Sequence, residues 1–507
     1  MSISSLVTFL GKHRVYLCLK QDQIYYRSSK SIPEPYQILL KEYKSLLVNS
    51  LKSYQDTDVL ISPLSYNQQS LWFSYLMAPE SSSYNVAVPM RIFYQIDPIR
   101  IHQTLISLTA YHDQLRATFD SLSNDSESVP CQFIPVKQSH DFLLYDVTGL
   151  TDSQIKEEIQ NFYNTPFKLS ESPALRTALF SRNSTEHILI FLFHHIICDA
   201  QSIGIFLENF RKHYGKSNAS YVESVAYTDF VVFQNDYLQK HQRSLLDYWK
   251  SRSNCDRGRA LATDFNRKEV RSNKGKTSFF HIGKEIRQRV ISLASQLSVT
   301  PFSIYLGCFQ LFYVMRSGSL NSTIGVLSSG RSDRKFLETI GYFINPLPVF
   351  SKCKEDQLLR DHFKATHKEV CGLLDNQNYP FSLLVKSIPV ERKANEPVLF
   401  SAIFNMLSNK KLGLAASLVY SDDNESAELS FCGMPIKPYS LYQQEGQFDL
   451  TMELIELEND EIKGILKYDS DLFSDKTAEE FISVYRNILD EVLLSCDRSV
   501  SDLFQTI

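Results

Sequence analysis

The stretch His187-Ile-Leu-Ile-Phe-Leu-Phe-His194-His195-Ile-Ile-Cys-Asp199-Ala200 joins an unbroken apolar run to two consecutive histidines and an aspartate. The apolar run has the length of a fully buried strand, and it ends where a loop is expected to begin. Imidazoles that leave a buried strand are costly to place unless they form hydrogen bonds or react. We therefore expect this stretch to organise both the fold and the active site.

The composition is that of a globular protein that is too long for one ordinary core. The chain has 507 residues, with 43% apolar and 22% charged residues and a net charge of -4. We therefore expect at least two domains, no bulk attraction to nucleic acid and, since no apolar run is long enough, no membrane span. The nine cysteines are scattered without a CxxC pair, and the N-terminus lacks the features of a signal peptide. These features predict a cytoplasmic protein with reduced thiols.

Residues 1–55, called the N-terminal segment below, have the character of a small basic module. They contain eight Lys or Arg and three Asp or Glu, a balance of +5 that leaves -9 for the rest of the chain. Their pattern predicts a helix over 3–12, a hairpin from Val15–Leu19 and Ile24–Arg27, and a helix from Tyr36 to Leu51. The charge favours an acidic peptide partner, although chance over so short a window is the competing explanation.

The rest of the chain alternates predicted helices and strands in two parts of similar size. The polar and basic stretch 251–275 is the best break between them, and it predicts lobes at 60–250 and 251–507. A helix is predicted from about Gln201 to Tyr214, directly after the opening stretch. These mixed elements indicate an α+β fold class.

A metal site at the two histidines is disfavoured, because neighbouring side chains on a strand point to opposite faces. A structural role is the default for a single buried histidine. Here catalysis ranks above it, since two imidazoles at a strand end with an acid nearby are a costly arrangement. A phosphate loop at Gly275-Lys276-Thr277 is also disfavoured, because its first glycine is replaced by Val270.

The flanks of the opening stretch resemble the condensation domain of nonribosomal peptide synthetases, over about residues 60–507. Seven segments follow the order of the family's motifs: Leu64–Phe73 with Tyr84-Asn85, His112–Phe119, His194–Ala200, Tyr227–Gln234, Ile340–Pro348, Asn376–Val385 and Pro397–Asn405. Seven motifs in the right order are far more specific than any one of them.

The resemblance implies two chloramphenicol-acetyltransferase-like α/β sandwich lobes in a V, with a tunnel between them. Donor and acceptor peptidyl carrier proteins would dock there and insert their phosphopantetheine arms, so the chain itself would bind no cofactor. The acceptor's amine would then attack the donor's thioester and form an amide. Three alternatives stay open: an epimerisation domain, which shares the histidine motif, an ester product, and a catalytically silent carrier-docking domain.

The resemblance also implies roles for the residues of the site. His195 takes the position of the catalytic histidine, and it would position the amine, help proton transfer or hydrogen-bond the developing oxyanion. His194 would be structural. Asp199 would form a buried bidentate pair with Arg331 of the second lobe, and Asn345 would line the tunnel.

Ala200 stands where the family has glycine. Its methyl group would narrow a tight turn beside the tunnel and strain any backbone with positive φ. This departure motivates the catalytically silent alternative.

The N-terminal segment resembles the small docking domain of the tubulysin-synthetase type. Such a domain would receive the C-terminal tail of an upstream synthetase subunit and could form a homodimer. The tail would pair with an edge strand formed by Val15, Tyr16, Leu17, Cys18 and Leu19. The competing interpretation is a plain helical cap on the body.

Overall fold

The computed structural model describes residues 2–137, 140–215, 225–253, 258–268, 274–388, 397–408, 412–419, 429–441, 443, 448–457 and 459–507. The helices in these ranges are α1 Ile3–Lys12, α2 Glu34–Glu42, α3 Lys44–Leu51, α4 Tyr66–Met77, α5 Pro98–Tyr111, α6 Asp152–Asn164, α7 Ala200–His213, α8 Tyr227–Ser253, α9 Lys284–Leu297, α10 Pro301–Ser317, α11 Leu359–Asp375, α12 Phe381–Ser387, α13 Leu414–Val419, α14 Asp475–Leu494 and α15 Val500–Thr506. The strands are β1 Tyr16–Lys20, β2 Gln23–Arg27, β3 Asp58–Pro63, β4 Asn85–Ile92, β5 Thr118–Ser123, β6 Ser128–Pro135, β7 Phe142–Asp146, β8 Leu175–Ser181, β9 His187–His194, β10 Gly275–Ile282, β11 Asn321–Ser328, β12 Asn345–Lys352, β13 Ala402–Ser408, β14 Leu429–Phe431, β15 Met434–Pro438, β16 Leu450–Glu456 and β17 Ile462–Asp469.

The chain folds into two compact units, and neither unit is continuous in sequence. The first consists of Met1–Lys240, Arg331–Phe343 and Leu412–Gln443, and the second of His241–Gly330, Ile344–Lys411 and Gln444–Ile507. The predicted lobes differ from these units, because two segments of the second half belong to the first unit. Strand pairing explains one of them, since β15 pairs with β4 and thereby adds the β14–β15 hairpin to a sheet of the first unit. Parts of the predicted break, 254–257 and 269–273, lie outside the described residues.

The larger sheet of the first unit has six strands in the order β14-β15-β4-β9-β8-β7. All residues of β9 are buried, as the apolar run predicted, because β9 pairs with β4 on one side and β8 on the other. Phe191 and Phe193 of β9 pack against Phe206 of α7, with ring centroids 5.0 and 5.1 Å apart. This buried strand fixes the point at which the two histidines leave the core.

The N-terminal segment contains the predicted helix and hairpin. The turn between β1 and β2 has φ angles of 47° at Gln21 and 58° at Asp22, and this conformation matches the twist of the flanking strands. The helix predicted from Tyr36 to Leu51 is instead two helices, α2 and α3.

The N-terminal segment shares a sheet and a core with the residues that follow it. The smaller sheet of the first unit has the order β2-β1-β3-β6-β5, so the segment's hairpin continues into strands of the body. Leu17 and Leu47 of the segment are buried in one cluster with Ile61 of β3 and Phe133 of β6. The segment is therefore an integral layer of the first unit.

β1 lies inside this sheet and is not an edge strand. Leu17 pairs with Tyr26 of β2 on one side and with Val59 of β3 on the other. The prediction that Val15 to Leu19 offers a free edge is therefore wrong, because β3 occupies that edge. The outer strand of the sheet is β2.

Part of the segment's positive charge fastens it to α8. Lys12 Nζ lies 2.9 Å from Asp236 Oδ1, and Arg14 Nη2 lies 2.8 Å from Asp229 Oδ2. These side chains are largely exposed, and such pairs contribute about 0.2–1 kcal/mol each. The apolar core, rather than these ion pairs, therefore holds the segment in place.

The second unit is built on a six-stranded sheet in the order β10-β17-β16-β13-β11-β12. Its central helix is α10, which is buried from Ser303 to Val314 and packs Phe309 against Phe404 of β13. Among the described residues, no helix by itself has the length and apolar character to cross a membrane. α9 and α10 pass that test only as a pair, and the pair is bent by 101°.

Candidate active site

The two histidines of the opening stretch leave β9 in different environments. His194 is the last residue of the strand, and its backbone N–H donates to Ala174 O at 2.9 Å. His195 begins a short 3-10 helix, and its N–H donates to Tyr84 O at 2.8 Å. His194 is buried and His195 is half-buried, so His195 is the more accessible of the two residues.

The imidazole of His194 is a neutral part of the core. Its Nδ1 accepts a hydrogen bond from Ile196 N at 3.1 Å, and its ring meets the edge of Tyr75. Burial, with smaller contributions from the charges of His195 and Arg176, lowers the pKa of His194 to about 3. His194 therefore holds the backbone turn at Ile196, which fits the structural role expected of it.

The imidazole of His195 is oriented by two contacts. Its Nδ1 lies 2.6 Å from Cys198 O, and its ring meets the Tyr342 ring edge-on, with centroids 5.2 Å apart. A carbonyl oxygen only accepts hydrogen bonds, so Nδ1 must carry the proton. In the neutral form of the ring the lone pair is then on Nε2, which can accept a proton or a hydrogen bond from an amine.

Asp199 caps the helix that follows. Its Oδ1 accepts from Ser202 N at 2.7 Å and lies 2.7 Å from Ser202 Oγ, and its Oδ2 accepts from Phe343 N at 3.3 Å. An aspartate at this position satisfies backbone donors that the first turn of a helix leaves open. The carboxylate is therefore engaged in structure and not in the chemistry of a substrate.

The predicted pairing of Asp199 with Arg331 is present and almost fully buried. The side chains are 4% and 1% exposed, and Arg331 Nη2 alone reaches both carboxylate oxygens, at 3.0 and 3.2 Å. The geometry is thus not the predicted bidentate one. Arg331 Nη1 instead donates to Phe336 O and Thr339 O, both at 2.7 Å.

Arg331 also differs from its predicted location. It belongs to the first compact unit, as does Asp199, and the pair ties the segment Arg331–Phe343 to the start of α7. Its guanidinium carbon lies 3.9 Å from the centre of the Phe343 ring. A buried ion pair of this kind fixes a geometry more than it adds net stability.

Ala200 does not occupy the tight turn that was expected. It is the first residue of α7, one position before the predicted start of that helix, and Asp199 is the N-cap. Helical backbone angles suit alanine as well as glycine, and Ala200 is absent from the residues with positive φ. The expectation of backbone strain at Ala200 is therefore wrong, whereas the expectation that its methyl group narrows the tunnel stays a prediction.

The side chain of Asn345 is engaged in hydrogen bonds to the backbone, and its predicted place along a tunnel stays a prediction. The residue is 3% exposed, and its Nδ2 donates to Gln377 O and Tyr379 O, both at 2.9 Å. Its Oδ1 accepts from Phe381 N at 2.9 Å. Both polar atoms of the Asn345 side chain thus hold the backbone segment that leads into α12.

Ser202 was not singled out from the sequence, and Tyr227 and Gly341 were identified only as members of motif segments, without a role. Ser202 Oγ accepts from Gly341 N at 3.1 Å and from Arg331, and the buried Tyr227 hydroxyl donates to Tyr342 O. A Cβ at Gly341 would lie 1.9 Å from the Tyr227 ring, so only glycine permits this contact. The position of Ser202, three residues after a capping aspartate, is the one signal that could have identified it.

The site contains no metal cluster that the structure can identify. In the described ranges, no group of three His, Cys, Asp or Glu is placed to hold an ion. The described side chain with a nitrogen suited to proton transfer at this site is His195, which lies beside Tyr342.

Comparison with known proteins shows which family this chain resembles. Residues 60–506 match the family model described as Condensation domain. Surfactin synthase subunit 2 of Bacillus subtilis (strain 168) is 27% identical over 447 residues, covering 87% of this chain and 12% of that protein. Gramicidin S synthase 2 of Brevibacillus brevis is 25% identical over 438 residues, covering 85% of this chain and 9% of that protein.

A solved structure shows the same fold. A four-domain nonribosomal peptide synthetase in its holo form, bound to AMP and glycine, has a TM-score of 0.79 at 22% identity. The similarity covers 88% of this chain and 34% of that one. This chain spans only a small part of the length of the curated relatives it matches. Because the family match extends over nearly all of its residues, the chain belongs to the condensation-domain family of nonribosomal peptide synthetases.

Proposed function

We propose that this chain forms a peptide bond in nonribosomal peptide synthesis. It would transfer the acyl group of a donor carrier-protein thioester to the amine of an aminoacyl group on an acceptor carrier. The observation that supports this most is the geometry of His195, a half-buried residue whose Nδ1 is engaged with Cys198 O and whose Nε2 has no hydrogen-bond partner among the described residues. The phosphopantetheine arms belong to the partner carriers, and the proposed location is the cytoplasm.

The reaction asks little base strength of the histidine. The amine nitrogen attacks the thioester carbon and forms the C–N bond, the amine loses a proton, and the C–S bond breaks. The proton then leaves with the thiol of the donor arm. An α-amine and a thiol both have pKa values of about 8, so a weak base placed between them suffices. Such proton transfer contributes about 10²–10⁴-fold in rate.

The tautomer of His195 favours one of its possible roles. With the proton on Nδ1, Nε2 can accept a hydrogen bond from the attacking amine and orient its lone pair. Until it takes up a proton from the amine, the neutral ring has no Nε2–H to donate to an oxyanion. We therefore assign His195 to amine positioning and proton transfer.

Two substitutions of His195 test this assignment and separate the loss of Nε2 from the loss of the hydrogen bond to Cys198 O. His195→Asn keeps a side-chain N–H for Cys198 O and removes Nε2, while His195→Ala removes both. With donor- and acceptor-loaded carriers and detection of the product by intact mass, both variants should lose about 10²-fold or more in rate. The control is His281→Ala, which changes an exposed histidine of β10. Full activity of His195→Asn would exclude the proposal.

The same assay separates the alternative activities. An inverted stereocentre without a new amide would indicate epimerisation, and an ester product would indicate a hydroxyl acceptor. Absence of product with every carrier pair, and with wild type and His195→Ala alike, would indicate a recruiting domain. The arrangement of the lobes in a V with a tunnel stays a prediction.

We also propose that the N-terminal segment receives the C-terminal tail of an upstream synthetase subunit along β2. β2 is the outer strand of its sheet, and Tyr25 and Tyr26 on it are 57% and 54% exposed. An outer strand can add an extended peptide through backbone hydrogen bonds, with side chains giving specificity. A homodimer through the same edge is the competing use.

Peptide binding tests the docking proposal. A fluorescent acidic peptide should bind the wild-type protein and bind the Tyr25→Glu/Tyr26→Glu variant more weakly, because like charges repel and aromatic contact is lost. The matched control is Leu143→Glu/Leu144→Glu, which places the same two charges on exposed positions of β7, the outer strand of the other sheet of this unit. Equal binding by all three proteins would contradict the proposal, and a concentration-dependent mass without peptide would favour the homodimer.

A further inference from the structure

Three buried glutamines form a continuous hydrogen-bonded chain that ends at the backbone next to His195. Gln68 in α4, Gln114 in the 3-10 helix after α5 and Gln132 in β6 are each 0% exposed. Gln132 Nε2 donates to Pro63 O at 3.0 Å, and Gln114 Nε2 donates to Gln132 Oε1 at 2.6 Å. Gln68 Nε2 donates to Gln114 Oε1 at 3.0 Å and to Ile196 O at 3.1 Å.

The ends of this glutamine chain fix its direction. Pro63 O and Ile196 O can only accept, and Gln68 Oε1 is occupied by Ser65 N at 3.1 Å. Turning any one amide around would bring two oxygens or two N–H groups together, so a single orientation satisfies all three side chains. No amide atom of the glutamine chain is among the buried polar atoms that lack a partner.

A chain of this kind is an expensive way to fill a core. Buried amides gain little over apolar side chains of similar size, and each becomes costly once a partner is lost. A fully satisfied polar network instead specifies one arrangement of the elements that it joins. The glutamine chain joins α4, β6, the 3-10 helix that contains Gln114, the end of β3 and the short 3-10 helix that begins with His195.

The link to His195 passes through the peptide groups of Ile196. The Ile196 N–H donates to His194 Nδ1, and the Ile196 C=O accepts from Gln68 Nε2. Both backbone polar groups of the residue after His195 are therefore held by buried side chains. With the Nδ1–Cys198 hydrogen bond, this leaves the His195 ring little freedom.

We propose that the glutamine chain is a positioning device, in which Gln114 acts through Gln68 and Ile196 to hold His195 Nε2 in register with the reacting amine. None of the three glutamines needs to touch the substrate. The inference rests on the proposed function, because the position of His195 matters for the rate only if His195 acts in the reaction.

Two substitutions at the centre of the glutamine chain test the inference. Gln114→Met fills the same space and interrupts the chain. Gln114→Glu restores it only when protonated, because a carboxylic acid can donate to Gln132 and accept from Gln68, whereas a carboxylate can only accept. Burial favours the protonated form, so that form is accessible in mildly acidic buffer.

We expect Gln114→Met to lower kcat about tenfold or more at every pH, with unchanged KM for both loaded carriers, since orientation and not binding is lost. The kcat of Gln114→Glu, divided by that of wild type, should rise as the pH is lowered. The folded fraction of each variant is measured by circular dichroism at each pH, and the kcat values are corrected for unfolded protein. If Gln114→Met does not fold, the pH dependence of Gln114→Glu still decides.

The matched control is Gln310→Met in the second unit. Gln310 is also 0% exposed, and its Oε1 accepts from Thr366 at 2.7 Å in a hydrogen bond that involves none of the three glutamines. This variant should keep the wild-type kcat. An equal loss of kcat in Gln310→Met, or a folded Gln114→Met with wild-type kcat, would overturn the inference. Activity that survives in His195→Asn would instead overturn the proposed function, and the inference with it.

Discussion

Arginine–aspartate pairs fasten two parts of the first compact unit, and their surroundings differ sharply. The Asp199–Arg331 pair at the active-site loop has side chains that are 4% and 1% exposed, whereas the Arg14–Asp229 pair of the N-terminal segment has side chains that are 47% and 40% exposed. Water screens the second pair and leaves it weak. The first pair is a geometric constraint that fails badly if one partner is removed. Distance alone, which is similar in both, does not reveal this difference.

The largest effect is expected from Arg331→Ala. This change leaves the Asp199 carboxylate buried without a counter-charge, and the expected loss is about 3–5 kcal/mol in the free energy of unfolding of the first unit. Urea unfolding followed by circular dichroism measures it. A loss below about 1 kcal/mol would mean that water reaches the carboxylate, and the contrast between the two pairs would disappear.

The second-largest effect is expected from acid, which should lower the free energy of unfolding of the buried region around His194. The folded-state pKa of His194 is about 3, below the usual 6.5, so the unfolded chain binds a proton more readily than the folded one. Stability should therefore fall as the pH drops from about 6.5 towards 3, by up to about 1.4 kcal/mol per pH unit for this one group. His112 has a pKa lowered to about 3 by burial and should add to the slope.

The variant His194→Gln measures the share of His194 in this acid sensitivity. Urea unfolding at several pH values should show a slope that is smaller by about one proton than in wild type. An unchanged slope would indicate that the His194 ring is hydrated at low pH.

A smaller effect on stability is expected from substitutions that separate the two roles of Asp199, which are to cap α7 and to pair with Arg331. Asp199→Asn should retain the helix cap through an oxygen that accepts from Ser202 N, whereas Asp199→Ala should not. The alanine variant should be less stable than the asparagine variant by about 1 kcal/mol, as measured by chemical denaturation. Equal stability of the two variants would mean that the cap contributes nothing here.

The smallest effect is expected from Arg14→Ala. The loss should be about 0.2–1 kcal/mol, and it should shrink further in high salt because the pair is exposed. Thermal unfolding at two ionic strengths provides the measurement. A loss as large as that of Arg331→Ala would show that the N-terminal segment depends on this contact rather than on its apolar core.

The elements with strong local patterns could be predicted from the sequence. The apolar run of β9 and the hairpin of the N-terminal segment both lie where their residues indicated, because burial and turn chemistry act within a few neighbouring residues. The partnership of Asp199 with Arg331 came from the family resemblance and not from local pattern. The structure contains this pair, with a different hydrogen-bond geometry.

The errors concern partners that are distant in sequence. No property of Val15–Leu19 reveals that β3 will cover its second edge, since the two strands are joined only by tertiary pairing. Ala200 was misplaced by a single residue, at the boundary between a loop and a helix, where sequence patterns are least informative. The hydrogen bonds of Asn345 and Gln114 could not be predicted either, because a buried amide gives no periodic signal.

The continuous order of the smaller sheet limits how freely this protein can be cut and recombined. If the chain were begun near residue 58, β3 would lose β1 as its neighbour, and the apolar surface around Ile61 would face water. An uncovered strand edge beside an apolar face invites pairing between molecules. The N-terminal segment is therefore poorly suited to transplantation as a freely exchangeable tag, and a chimeric synthetase should inherit it together with β3 and β6.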